Sequence, residues 1–296
     1  MTNRLELNWN LDGFVDEQRY YCSETPIDVN NLPVPKASIA GNVRTYSDTA
    51  IEVGKTYYVA VSSVKGSIEK VSQVMEISTG GDEHWDKVTA LLHFDGDLID
   101  ASGKGTYTKT SGVTFSSTGA LSGQAIKFDA TYDYVSTNNP SAWQFGGGDF
   151  TLEFFVYLND SSTAFQAIIS KWSSYIGDCE FIFYRNSGSF LFDVRANDGS
   201  TYVPLLSAAQ PPASQRTHVA ISRQDNVFRM FYDGVKQHEK TSSVIINAAA
   251  SALRIGDLGS SGVPSVNGCI DEIRITKGVA RYTADFIPPT KPFPNS

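Results

Sequence analysis

The chain has 296 residues, 41% of them hydrophobic and 12% aromatic, and its 24 Lys and Arg against 32 Asp and Glu give a net charge of −8. That length suffices for two domains, and 17 Phe and 14 Tyr against 3 Met favour stiff, sheet-packed cores over helical bundles. The acidic balance excludes the basic face that a sequence-independent grip on phosphate backbones requires, so no nucleic-acid partner is expected.

The first residues, Met1-Thr2-Asn3-Arg4-Leu5, lack the apolar core of a secretory signal, and no run of about 18 apolar residues follows. Neither export nor membrane insertion is expected. Residues 1–79 read as short strands. Leu5-Glu6-Leu7-Asn8-Trp9 alternates apolar and polar, and Asp12-Gly13 is a turn dipeptide. Arg19-Tyr20-Tyr21-Cys22, Thr45-Tyr46, Thr56 to Ser62 and Lys70 to Ser78 follow, with a Pro-containing stretch from Thr25 to Pro35. Within Gly54 to Val61 the two-residue period puts Tyr57, Val59 and Val61 on one face, with Tyr58 and Ala60 on the other.

Residues 80–87 break the alternation with glycines and charges and read as a linker. Trp85 inside it is expected to anchor on the following domain, the alternative being an exposed linker aromatic. Residues 88–287 hold about a dozen strand candidates between Gly, Asn, Asp or Ser clusters. They include Val88 to Phe94, Thr151 to Leu158, Glu180 to Tyr184, Phe190 to Val194, His218 to Ser222, Val227 to Tyr232, Ala252 to Gly256 and Ile270 to Ile275. A second, larger all-β sandwich follows, with Asp233-Gly234 as a two-residue hairpin turn. The Pro-rich residues 288–296 cannot join a central strand, because proline lacks the ladder N–H, and read as an extended arm. Cysteines at 22, 179 and 269 show neither a disulfide framework nor zinc spacing. Three reduced thiols are expected, with a Cys179–Cys269 disulfide left open.

Two resemblances rest on these phrases. Trp9, the tyrosine pair at 20 and 21, and Gly54-x-x-Tyr57-x-Val59-x-Val61 resemble a fibronectin type III domain over residues 1–79. The resemblance implies a core role for Trp9, a tyrosine-corner contact for Tyr57, and a spacer or protein-binding module. The second is carried by Leu92 to Gly96 with Asp100 to Gly103, Ala125 to Phe128, Gly148 to Val156, His218 to Arg223, Phe228 to Gly234 and Gly268 to Ile275. In this order they resemble a laminin-G-like, concanavalin A-like jelly roll. The flanking phrases Gly81 to Val88 and Thr276 to Phe286 resemble the form of that domain in tailed-bacteriophage structural proteins.

These resemblances imply a virion structural or adhesion protein: a tail- or fibre-associated subunit or a capsid decoration, assembled in the host cytoplasm and oligomeric in the particle. Its partners would be other virion proteins and host-surface glycans. A carbohydrate-binding module of a cell-surface or secreted protein is the alternative, and a glycoside hydrolase comes third. Hydrolases of this fold need two or three carboxylates on one strand, about 5 to 10 Å apart, and Thr151 to Leu158 offers only Glu153. His84, His93, His218 and His238 form no metalloprotease pattern. Ser187-Gly188-Ser189 and Gly259 to Gly262 read as loops, not as a nucleophile elbow. No catalytic centre is expected.

The jelly-roll resemblance also implies a structural calcium near Asp95, Asp100 and the last strand. There Asp271 shares the face of Ile273 and Ile275 by simple alternation, where a carboxylate needs a cation or hydrogen-bond donors. The other reading pairs Asp271 with an Arg or a backbone N–H and makes Asp95 and Asp100 turn formers. For ligand binding, Lys171-Trp172-Ser173-Ser174-Tyr175 is the candidate loop, with Trp172 and Tyr175 to stack on sugar faces. Alternatively, Trp172 caps the sandwich edge.

Overall fold

The computed structural model describes residues 4–52, 54–129, 132–137, 140–173, 175–258 and 264–295. The segment Gly259 to Gly262, expected to be a loop, lies wholly outside the described residues, as does Ser174 of the candidate loop. Two compact units are formed, one ending at Trp85 and the other Asp86–Asn295.

The first unit contains β1 (Leu5–Asn8), β2 (Glu17–Ser23), β3 (Ala37–Ala40), β4 (Thr45–Asp48), β5 (Thr56–Lys65), β6 (Ile68–Val71) and β7 (Met75–Ser78). β1 and β4 pair alone, while β3, β2, β5, β6 and β7 make a five-stranded sheet. Alternation explains the packing: Tyr57, Val59 and Val61 turn to a core shared with Tyr20 and Ile39, closed from the other sheet by Leu5, Leu7 and Tyr46. Lys70 to Ser78 is two strands rather than one, because Ser72 interrupts the ladder and its Oγ accepts the Val61 N–H at 3.1 Å. The Tyr57 hydroxyl accepts the Glu52 N–H at 3.0 Å. Trp9 lies just past β1, half-buried against this core, and its Nε1 donates to Gln18 Oε1 at 2.5 Å. Trp85 is half-buried and opens a short 3-10 turn, Trp85–Lys87.

The second unit contains β8 (Val88–Leu92), β9 (Tyr107–Lys109), β10 (Thr114–Ser116), β11 (Ala125–Asp129), β12 (Val135–Thr137), β13 (Phe150–Leu158), β14 (Gln166–Lys171) and β15 (Phe181–Asn186). It continues with β16 (Ser189–Arg195), β17 (Tyr202–Ala209), β18 (Arg216–Gln224), β19 (Val227–Tyr232), β20 (Val235–Thr241), β21 (Leu253–Ile255) and β22 (Asn267–Lys277). One sheet has eight strands in the order β10-β11-β22-β13-β18-β19-β20, with β8 also on β22; the other has seven, β17-β16-β15-β14-β21-β12-β9. Both line a single core in which Phe150 and Phe154 meet Phe181, Phe183, Phe190 and Phe192. Burying each such ring is worth about 2–3 kcal/mol of transfer free energy.

Local rules place several details. Asp233 (φ 44°) and Gly234 (φ 79°) both adopt positive φ, as a primed two-residue turn demands. A Cβ on Gly234 would also lie 1.9 Å from the Phe286 carbonyl oxygen, so two constraints meet at that glycine. Pro204 is tolerated because β17 is an edge strand whose register shifts there.

Two expectations change. Lys171 is not a loop residue: it ends β14, is fully buried, and its Nζ meets Glu180 Oε2 at 2.5 Å and the Ala249 carbonyl at 2.6 Å. The C-terminal arm is extended but folded back on its own sheet, with Phe293 only 3% exposed. The three cysteines are free thiols, as expected, Cys179 and Cys269 buried and Cys22 half-buried. Among the described residues no helix is long and apolar enough to cross a membrane.

Candidate functional site

Alternation along β15 and β16 sends Phe181, Phe183, Phe190, Phe192 and Val194 into the core. The residues between them, Ile182, Tyr184, Leu191, Asp193 and Arg195, are left on the outer face of the seven-stranded sheet. Ile182 and Tyr184 join Ala167, Leu258, Phe165 and Trp172 in an apolar cluster separate from the main core. At its edge the hairpin register sets Arg195 opposite Tyr202. The Arg195 guanidinium lies 5.2 Å from the Trp172 ring centroid and 5.4 Å from that of Tyr202, and the two rings meet edge-on at 6.3 Å. Tyr202 is 45% exposed. Asp193 is consumed from within the sheet: its Oδ2 accepts the hydroxyls of Tyr184 and Tyr202, and its Oδ1 the Leu205 N–H. Burial, followed by the Asp193 bond, pushes both phenols up, so they remain donors.

Of the two loop aromatics expected to act together, only Trp172 belongs to this cluster. Tyr175 is 75% exposed at the start of the 3-10 turn Ile176–Asp178, and no ring contact joins it to Trp172 among the described residues. Sequence reading missed Arg195 and Tyr202. The signal was the hairpin through Asn197-Asp198-Gly199-Ser200, whose turn residues fold the two onto one face.

The three carboxylates of the expected calcium site are not gathered. Asp100 Oδ1 is taken by the Leu91 and Ser102 N–H groups and the Ser102 hydroxyl, while its buried Oδ2 has no partner. Asp271 and Asp95 instead flank one loop: Asp271 Oδ2 accepts the Leu121 N–H at 2.7 Å and Asp95 Oδ1 the Gln124 N–H at 2.9 Å. Asp271 does not share the face of Ile273. The strand bulges at Asp271 and Glu272, where Glu272 has φ 51°, so Ile270, Ile273 and Ile275 reach the core and Asp271 pairs opposite Phe155. Burial pushes the Asp271 carboxyl up to about 7, aided by repulsion from Glu272 and Asp95. Among the described residues no three metal-ligating side chains converge.

The outer face of the eight-stranded sheet holds a buried polar network, in which His218 Nδ1 is left without a partner among the described residues. Glu153 is fully buried; its Oε1 meets Arg274 Nη2 at 2.8 Å, and its Oε2 meets His218 Nε2 at 3.1 Å and the Tyr282 hydroxyl at 2.8 Å. Burial raises this carboxyl, but Arg274, His218 and Arg281 outweigh it and hold it at about 2. The C-terminal arm roofs the network. The Phe293 ring lies 3.9 Å from the Arg274 guanidinium, and its N–H donates to Glu272 Oε2 at 2.9 Å. His93 bridges Glu272 at 2.7 Å and Asn295 at 2.5 Å, and the Glu272 bond raises it to about 9.

Residues 129–281 match the family described as the concanavalin A-like lectin/glucanases superfamily. Among solved structures, the binding domain of Paraclostridial Mosquitocidal Protein 1 is 12% identical with a TM-score of 0.55, over 66% of this chain and 50% of that one. The receptor binding domain of botulinum neurotoxin D is 12% identical with a TM-score of 0.54, over 67% and 51%. Domain 4 of AbnA, a GH43 extracellular arabinanase from Geobacillus stearothermophilus in complex with arabinotriose, is 18% identical with a TM-score of 0.47, over 66% and 94%. The chain spans about half the length of the two toxin domains, and likeness at this identity is one of fold. No curated protein matches the chain.

Proposed function

Since the chain belongs to the concanavalin A-like lectin/glucanase superfamily, we propose that it is a non-catalytic glycan-binding adhesin, carried on a tailed-phage particle and docked to other virion proteins. The observation that carries glycan binding is the Trp172, Arg195 and Tyr202 cluster on a rigid sheet, where aromatic faces meet sugar C–H faces and polar groups meet hydroxyls. The virion setting rests on the phage-like phrases at 81–88 and 276–286. Against catalysis stands Glu153: a general acid needs a raised pKa and access to substrate, whereas this carboxyl is held at about 2 and roofed. The first unit is read as a fibronectin type III-like spacer, supported by the Tyr57 hydroxyl reaching Glu52 five residues upstream.

Trp172→Ala is expected to weaken glycan binding at least about tenfold in a protein that still unfolds cooperatively, and Tyr175→Ala to weaken it less. A glycan array followed by calorimetry on each hit measures both. An array profile identical for wild type and Trp172→Ala removes the lectin reading at this face. Location of the chain by cryo-electron microscopy of intact particles tests the virion setting.

A structural calcium belongs to the same proposal, with Asp271 and Asp95 as its carboxylates and loop carbonyls completing an oxygen shell. Asp100 is left out because no three metal-ligating side chains converge among the described residues. The buried Asp271 carboxyl supports it. Raised from 3.8 to about 7, the metal-free group favours folding below pH 3.8, and this contribution is lost as pH rises through 7. Calcium is therefore expected to raise the melting temperature more at pH 8 than at pH 5, and Asp271→Asn to abolish that increment. No response to calcium at pH 8 sinks the metal assignment.

A further inference from the structure

The proposed sugar face carries a guanidinium beside two aromatic rings. Arg195 has no ion-pair partner among the described residues. Its Nη1 donates to the Ser200 carbonyl at 2.6 Å, and its Nε is buried without an acceptor. The nearby acids are turned to other tasks. Asp193, two positions earlier on the same face, is saturated by Tyr184, Tyr202 and Leu205. Asp198 is saturated by the N–H groups of Ser200 and Thr201 and by the Thr201 hydroxyl. The Cys179 thiol beside the guanidinium is pushed up by burial and stays neutral. Rings on both sides reduce the water around the charge, so an anion supplied from outside gains more here than at an open surface.

We propose that this site selects a carboxylated sugar, a hexuronic or sialic acid residue, with Arg195 meeting the carboxylate and Trp172 and Tyr202 the pyranose ring. The proposal rests on the glycan-binding reading above and names its ligand class. A guanidinium fork matches the planar carboxylate. The protein's net charge of −8 opposes the approach of an anionic polymer but is screened beyond about 8 Å at physiological salt, so the local cation decides.

Titration of the full chain with a galacturonic acid trisaccharide, sialyllactose, and their neutral counterparts galactotriose and lactose tests the proposal. An acidic member is expected to bind at least about tenfold tighter than its neutral partner, and the acidic arm that binds identifies the sugar. Arg195→Gln is expected to erase that preference, bringing acidic binding down to or below that of the neutral partner, and Arg195→Lys to restore part of it. Should Arg195→Gln fail to fold, wild type decides: acidic binding must weaken with added salt while neutral binding does not. Equal affinity for acidic and neutral sugars, or a preference that survives Arg195→Gln, overturns the acidic assignment and leaves the lectin reading intact if Trp172→Ala still weakens binding. Absence of binding to every glycan on the array overturns both.

Discussion

Glu153→Ala is expected to destabilise the second unit by about 3–5 kcal/mol, because removing one partner of a buried ion pair leaves the other charged and desolvated. Here the stranded groups are Arg274, 5% exposed, and His218, fully buried, together with the Tyr282 hydroxyl. Urea unfolding followed by fluorescence of the fully buried Trp143 measures the loss. A surface control, Glu239→Ala, which breaks the Arg229 and Lys236 pairs, is expected to cost under about 1 kcal/mol. The pH dependence has a definite sign. With the carboxyl depressed from 4.5 to about 2, its contribution is complete above pH 4.5 and disappears as pH falls through 2. Wild type should therefore lose stability in that acid window, and Glu153→Ala should lose less there. A cost no larger than the surface control would mean that the network contributes nothing to folding.

Phe293→Ala is expected to cost about 3 kcal/mol, the lower end for a buried Phe, although only three residues follow it in the sequence given. The ring covers Arg274 at 3.9 Å and approaches Phe155 at 6.3 Å. Its loss would admit water to the Arg274 and Glu153 pair as well as removing apolar contact. The two substitutions share Arg274, so the double mutant should fall short of the sum of the singles. The same denaturation series measures this, and hydrogen exchange should rise in 279–295 before the rest of the sheet. Full additivity would show that the Phe293 contribution is independent of the Arg274 and Glu153 pair, and a Phe293→Ala protein as stable as wild type would show the arm to be a passive tail.

The inward face expected for Asp271 failed for a local reason. Counting by twos from Ile275 to Asp271 assumes an unbroken strand, and the bulge at Glu272 shifts the phase by one residue. The strand β14 was missed because Gln166 and Lys171 look like solvent residues, whereas Arg185 and Glu180 supply their buried partners from distant positions. Trp172 was legible as a candidate. Its neighbours Arg195 and Tyr202 were not, since they come from a hairpin more than twenty residues further along.

By itself the amino-acid order determined the sandwich character, the inward rows of phenylalanines, the Asp233-Gly234 turn and the family, because these depend on a two-residue period and on backbone preferences acting over a few residues. Only the tertiary structure decided which charges are paired: Glu153, Lys171 and Arg185 find ion-pair partners, and Arg195 has none among the described residues. Electrostatic pairing acts through space over a few ångströms, and closing the two sheets is what brings those side chains within reach.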